Sequence, residues 1–191
     1  MAALKVTLCS ANEHKLAEMR ELLPDDWELE LLGDVEYPPE DGPTYLENAR
    51  IKARYGRLVG PQNRWMVADD SGIELVALGG GPGVLTARWA EGRHVEKALA
   101  ALDGAADRRA RYVCELVALS PAREEFRGTG VLPGRIAPAP AGREGFGFDP
   151  VFVPDGETRT VAQLGDAWKA EHSHRARAAR ALLDAIGLAT S

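Results

Sequence analysis

Short apolar runs alternate with amphipathic segments along the first half of the chain. Residues 4–9 form a short, mostly apolar run that is typical of a buried strand. Apolar residues at helical spacing follow from Glu13 until Pro24 ends the pattern. The elements predicted for this half are strands over 4–9, 27–32 and 65–68 and helices over 13–23 and 45–58.

In the second half, strand patterns follow one another with fewer helices between them. The predicted elements are a helix over 93–102, a strand over 111–119, a strand pair over 125–136 that Gly128, Gly130 and Pro133 interrupt, a short strand over 151–153 and a final helix over 174–186. Strands that alternate with helices early and pair as hairpins late predict an α/β fold with a mixed sheet flanked by helices, in one domain over 1–191. Ligands of such sheets collect at the strand ends.

Composition narrows the class of protein. The 191 residues are 45% hydrophobic and 27% charged, with a net charge of −6, which is typical of a globular protein and argues against a nucleic-acid or membrane partner. The longest uncharged stretch, 75–87, is shorter than the roughly 20 residues of a membrane span. Cys9 and Cys114 form no CxxC motif, and the N-terminus lacks a secretory pattern, so we expect a cytoplasmic protein.

The first candidate site follows the first predicted strand. Ser10 and Asn12 lie in a polar turn before the first helix, and Lys15 lies one turn into it. The free amides at a helix start can bind an anion, although Asn12 or Ser10 could equally be an N-cap beside a solvated lysine. The GxxxxGK[ST] pattern of a P-loop is absent.

A second candidate begins the long helix. Thr44 and Glu47 match a capping box, in which Glu47 only accepts from the Thr44 amide. Alternatively, Glu47 is a metal-bound carboxylate, with Lys52 five residues further along.

The third candidate is a pair of adjacent acids where the third strand ends. Asp69 and Asp70 would repel each other unless a cation or hydrogen bonds hold them, and Mg²⁺ prefers such oxygen ligands. The alternative is a turn in which Asp70 and Ser71 bond to backbone amides.

A glycine–aromatic segment, residues 145–150, is the fourth candidate. Its glycines allow close approach of a ligand, and Phe146 and Phe148 would lie on the same side of an extended chain. An aromatic face can stack on a base, but both rings could also belong to the core.

The fifth candidate is Lys169 together with the start of the last helix. Ser173 is suited to be its N-cap, which puts His174 and Arg175 in the first turn. Cations at that position oppose the helix dipole, and a bound anion or an acceptor-rich base would remove the conflict.

Five segments in this order resemble the inosine/xanthosine triphosphate pyrophosphatase family, which hydrolyses non-standard purine nucleotides. They read SANEHK, TYLENARIKA, ADDSGIELVALGGGPGVLTARWA, GFGFDPVF and, around the last helix, K169 to SHR. The resemblance implies an elongated α/β fold with two lobes around a central cleft, Mg²⁺ dependence and a homodimer. The chain departs from the family pattern at Ala11, at Leu85-Thr86 and at His172.

The resemblance also implies roles for single residues. Asp70 would act on the attacking water and, with Glu47, would hold Mg²⁺. The residues that would contact the substrate are Ser10, Asn12, Lys15 and Lys52 at the phosphates, Ser71, then Phe146, Gly147, Phe148 and Asp149 around the nucleoside, and finally Lys169, His174 and Arg175.

The sequence therefore predicts an enzyme that converts a purine nucleoside triphosphate such as ITP, dITP or XTP into the monophosphate and pyrophosphate. A related nucleotide pyrophosphatase of different base specificity is one alternative. A non-catalytic nucleotide-binding module is another, and it would bind ITP without releasing pyrophosphate.

Overall fold

The computed structural model describes residues 4–189, in which strands and helices follow one another as the hydrophobic pattern indicates. The elements are β1 (Leu4–Leu8), α1 (Glu13–Leu22), β2 (Trp27–Leu31), α2 (Tyr45–Val59), β3 (Trp65–Leu75), α3 (Thr86–Ala90), α4 (His94–Ala101), β4 (Arg109–Leu119), β5 (Glu125–Ile136), β6 (Phe152–Pro154), α5 (Val161–Leu164), α6 (Asp166–His172) and α7 (His174–Ala189). No helix in this described part of the chain is long and apolar enough to cross a membrane.

The six strands form one sheet in the order β2-β1-β3-β4-β5-β6. β1 runs parallel to both β2 and β3, with Leu8 opposite Leu31 and Val67, whereas β5 and β6 are antiparallel. The predicted α/β class with a mixed sheet is therefore confirmed. The carboxyl ends of β1 and β3 lie at the same edge of the sheet because these strands are parallel and adjacent.

The described chain divides into two compact units, each with its own core. The first unit comprises residues up to Asp70, residues 114–130 and residues from 177 onward; the second comprises 71–113 and 131–176. In the first unit one apolar cluster packs α1 and α7 on the strands and another packs α2 on them. The second unit has a separate cluster that includes Tyr112, Phe148 and Phe152. The prediction of a single domain over 1–191 stays a prediction.

Helix α2 packs very closely against the end of β1. Thr44 is its N-cap, with the Thr44 hydroxyl accepting from the Glu47 amide. A Cβ atom at Gly56 would lie only 2.2 Å from the Cys9 sulfur, so glycine is required for this approach. The contact fixes α2 against the carboxyl end of β1 and the neighbouring Met66 of β3.

The burial of Cys9 gives a chemical prediction. The residue is 1% exposed, and burial raises the pKa of its thiol to about 12. Because the thiolate is the reactive form, we expect Cys9 to resist a thiol reagent in the folded protein at mildly alkaline pH and to react once urea unfolds the chain. Peptide mass mapping after labelling measures this. Modification of Cys9 in the folded protein at the rate of a short cysteine peptide would contradict it.

Two predicted interruptions of the sheet are wrong. β3 does not end at Ala68 but continues through Asp69 and Asp70 to Leu75, so the alternative of a turn at Asp70-Ser71 is also wrong. Residues 125–136 form one strand rather than a pair. Gly128 does not break β5: a Cβ atom there would lie 2.1 Å from the Ala178 carbonyl oxygen, so this glycine marks close packing of α7 on the strand.

Candidate active site

The two adjacent acids of β3 point to opposite faces of the sheet. Side chains alternate along a strand, so Asp70 shares a face with Met66 and Ala68, whereas Asp69 shares the other face with Val67. Met66 and Ala68 belong to the apolar cluster under α2, and Val67 belongs to the cluster under α1. Each acid therefore follows buried apolar residues on its own face of the strand.

On the α1 face, Asp69 pairs with Lys15. The Lys15 ammonium lies 2.8 Å from Asp69 Oδ1, and this carboxylate is almost fully buried. Asn12 is the N-cap of α1, since its Oδ1 accepts from the amides of His14 and Lys15, and the Ser10 hydroxyl accepts from the Asn12 amide. The interpretation of Asn12 as an N-cap is confirmed, but Lys15 is not a solvated surface charge.

On the α2 face, Asp70 lies in a group that we call the carboxylate–lysine cluster: Glu40, Asn48, Lys52 and Asp70. The Lys52 ammonium lies 3.1 Å from Glu40 Oε1 and 3.7 Å from Asp70 Oδ1. Asn48 donates from Nδ2 to Asp70 Oδ2 over 3.0 Å. Asn48, Lys52 and Asp70 are all buried. The single ammonium group of Lys52 pairs with the carboxylates of both Glu40 and Asp70.

The charges of this cluster shift one another's pKa. Burial raises the pKa of Asp70; Lys52 and the Asn48 hydrogen bond lower it, Glu40 and Asp69 raise it further, and the net shift is upward. Burial lowers the pKa of Lys52, but the charges of Asp69, Asp70 and Glu40 outweigh burial and raise it. The cluster holds an excess of negative charge, and a further cation would relieve it.

Glu47 lies outside this cluster. Its side chain is exposed, and its Oε2 accepts from the Thr44 hydroxyl over 2.8 Å. Within residues 4–189 no hydrogen bond or ion pair joins Glu47 to Asp70. A metal-binding role for Glu47 stays a prediction, and the carboxylate that the structure places beside Asp70 is Glu40, which the sequence analysis missed.

The donor set of the cluster fits Mg²⁺. This ion usually takes one or two protein carboxylates and completes its octahedron with water and substrate phosphates. Asp70 and Glu40 supply such carboxylates, and both already contact a cationic group. Among the described residues, no group of three or more acidic, histidine or cysteine side chains is placed to bind a metal alone.

In the second unit, the glycine–aromatic segment is a turn and not an extended chain. Gly145 and Gly147 have φ values of +73° and +65°, in the left-handed region that an extended chain does not adopt. Phe148 is buried in the core beside Trp89, while Phe146 is 47% exposed. The prediction that the two rings lie on the same side of an extended chain is therefore wrong, and Phe146 is the ring that is open to a ligand.

Asp149 organises this turn. Its Oδ2 accepts from the Phe146 amide and from the Lys169 ammonium, each over 2.9 Å, and its Oδ1 accepts from the Tyr112 hydroxyl over 3.3 Å. The Lys169 ammonium also lies 4.0 Å from the centre of the Phe146 ring. Lys169 belongs to α6, a helix that the sequence analysis did not predict. Asp149 thus holds the exposed ring and a cation together.

The first turn of α7 completes the second unit's polar group. Ser173 accepts from the Ala176 amide and caps the helix, which confirms the predicted cap. The His174 ring stacks on Tyr112 with centroids 4.6 Å apart, and Arg175 donates to the Ser71 hydroxyl over 3.1 Å. His174 and Arg175 are both buried. The second unit thus contains the polar contacts of Ser71, Asp149, Lys169 and Arg175, together with the stacked ring of His174.

Three residues of these groups were not predicted. Asn48 lies one helical turn before Lys52, so their shared face could have identified it once Lys52 was a candidate. Tyr112 shares the alternating strand pattern of β4 and gave no further signal. Glu40 lies in an irregular proline-rich loop, where no periodic pattern of residues predicts which way a side chain points.

Lysine–carboxylate groups that lie just beyond the carboxyl end of a parallel strand, here β1, are typical of α/β proteins that bind ligands at strand ends. The chain belongs to the Ham1 family, whose model matches residues 6–185.

Relatives and solved structures of this family cover nearly the whole chain. A dITP/XTP pyrophosphatase of Bdellovibrio bacteriovorus is 38% identical, over 96% of this chain and 98% of the relative. A dITP/XTP pyrophosphatase of Mycobacterium tuberculosis is 44% identical, over 95% of each chain. The structure of a HAM1 protein from Coxiella burnetii is 35% identical and matches 98% of this chain and all of its own with a TM-score of 0.82.

Proposed function

We propose that this protein hydrolyses non-standard purine nucleoside triphosphates to the monophosphate and pyrophosphate. The observation that carries the proposal is the carboxylate–lysine cluster, in which Lys52 lies within 4 Å of both Glu40 and Asp70. The choice of dITP and XTP as substrates rests on the names of relatives that match the chain almost end to end.

The cations of the first unit suit the phosphates. A nucleoside triphosphate brings about four negative charges, and phosphoryl transfer depends mainly on positioning and on neutralising such charge. Lys15 and Lys52 each lie at a buried carboxylate, which holds the ammonium group in one place. Lys15 and Lys52 would therefore offer ammonium donors to the phosphates, while a divalent cation would offset the excess charge of the carboxylates that pair with them.

Glu40 and Asp70 would hold Mg²⁺. When bound, the ion neutralises phosphate charge and lowers the pKa of coordinated water. Asp70 Oδ2 is already engaged by Asn48, so Oδ1 is the oxygen we assign to accept the proton of the attacking water. That water adds to the α-phosphorus, and the bond to the departing pyrophosphate breaks.

Some groups of the second unit have the chemistry to bind a purine base. The exposed ring of Phe146 offers a stacking surface, and Lys169 and Arg175 offer donors. Hypoxanthine and xanthine carry a carbonyl acceptor at position 6, where adenine carries an amino donor. Sites built on such hydrogen bonds reject the mismatched base by roughly 10⁴–10⁵-fold. The roles of Gly147, Phe148 and His174 at the nucleoside, the homodimer and the cytoplasmic location stay predictions.

The direct test is product analysis with ITP, XTP, GTP and ATP, each with and without Mg²⁺. We expect pyrophosphate and the monophosphate from ITP and XTP in the presence of Mg²⁺ and far less from ATP. Ion-exchange chromatography separates pyrophosphate from phosphate and so identifies the bond that breaks. Binding of ITP without turnover would instead support the non-catalytic module, and equal turnover of all four nucleotides would remove the selectivity.

A further inference from the structure

Asn48 connects two segments that carry the carboxylates of the cluster. Its side chain is fully buried. Nδ2 donates to Asp70 Oδ2 over 3.0 Å, and Oδ1 accepts from the Gly42 amide over 2.8 Å. Gly42 lies two residues after Glu40, so one amide group ties the Glu40 loop to β3 through helix α2.

The two partners of Asn48 fix the orientation of its amide group. A carboxylate oxygen can only accept and a backbone N–H can only donate, so Nδ2 must face Asp70 and Oδ1 must face Gly42. The loop also passes close to this side chain, since a Cβ atom at Gly42 would lie 2.8 Å from Asn48 Oδ1. The Asn48 amide group therefore has one orientation, in which it bonds to both Asp70 and the Gly42 amide.

We propose that Asn48 is a positioning residue, which holds Asp70 and the Glu40 loop at the separation that a divalent cation requires. The inference rests on the proposed function and extends it, because Asn48 itself contacts neither water nor phosphate in this role. Side chains that orient metal ligands by hydrogen bonds are worth about 10–100-fold in metal affinity or activity.

Two substitutions break the link from its two ends. Asn48→Ala removes both hydrogen bonds, and Gly42→Ala forces the loop away from Asn48 while leaving the Asp70 contact in place. For each we expect the Mn²⁺ dissociation constant, measured by electron paramagnetic resonance of free Mn²⁺ without nucleotide, to rise about 10–100-fold. Activity on ITP should then need correspondingly more Mg²⁺, and a higher Mg²⁺ concentration should restore part of it.

Thr44→Ala is the matched control, since it removes a cap from the start of the same helix without touching Asp70. We expect it to lower Tm by about 2–4 °C with no change in Mn²⁺ affinity. If N48A and G42A fold and bind Mn²⁺ like the wild type, or lose affinity only as far as T44A does, Asn48 is merely structural and the proposal is overturned. Asp70→Asn, assayed in parallel for pyrophosphate release, reports separately on the proposed function.

Discussion

Replacing Asp70 with asparagine reduces the rate of pyrophosphate release from ITP by at least about 10²–10⁴-fold, the usual contribution of a general base. The substitution keeps the size of the side chain but removes the charge that would hold Mg²⁺ and the oxygen that would accept a proton. It also removes the carboxylate 3.7 Å from the Lys52 ammonium. Initial rates with ITP at saturating Mg²⁺ measure the loss, and Tm shows whether the variant is folded.

Two further variants determine which glutamate acts with Asp70. Glu40→Gln should also impair turnover strongly and raise the Mg²⁺ requirement, because Glu40 shares the Lys52 ammonium with Asp70. Glu47→Gln should stay near wild type, because that carboxylate is exposed and accepts from the hydroxyl of Thr44, its own helix cap. A loss in E47Q equal to that in D70N, with E40Q unaffected, would restore Glu47 as the metal ligand. Full activity in D70N would overturn the proposed chemistry.

The alternating and helical patterns predicted most of the sheet because such patterns show which side chains of an element are buried. β1, β2 and β4 follow such patterns within one or two residues of their predicted bounds. β3 was cut short because burial of a strand is inferred from apolar residues, and Asp69 and Asp70 are buried as charged partners of lysines. A sequence pattern cannot distinguish a buried, paired acid from one that begins a loop.

In the candidate site, too, residues on regular elements were predictable and those on irregular segments were not. Asp70 and Lys52 were predicted because they lie on regular elements next to recognisable motifs. Glu40 was missed because its direction depends on the path of an irregular loop, which only tertiary contacts such as the Gly42–Asn48 hydrogen bond determine. The Phe146 and Phe148 rings were assigned to one side because alternation holds only for extended backbone, and two positive-φ glycines remove that condition.

Replacing Asp149 with asparagine lowers the free energy of unfolding by about 3–5 kcal/mol, the usual cost of removing one partner of a buried ion pair. The Asp149 and Lys169 side chains are 5% and 11% exposed, and Asp149 also accepts from the Phe146 amide. The variant keeps the shape of the side chain but leaves a nearly buried ammonium without this carboxylate. Denaturation in urea, followed by circular dichroism, measures the change.

A double-mutant cycle tests whether the pairing itself causes this loss. If it does, Asp149→Asn combined with Lys169→Met should cost less than the sum of the two single variants, by about 0.5–3 kcal/mol of coupling. Asp107→Asn removes an exposed pair with Arg109 in the same unit and should change stability little. Strict additivity of D149N and K169M would mean that Asp149 acts through the Phe146 amide and the Tyr112 hydroxyl rather than through Lys169. In that case Lys169 would be free to leave Asp149 when a base binds, whereas strong coupling keeps it beside the Phe146 ring.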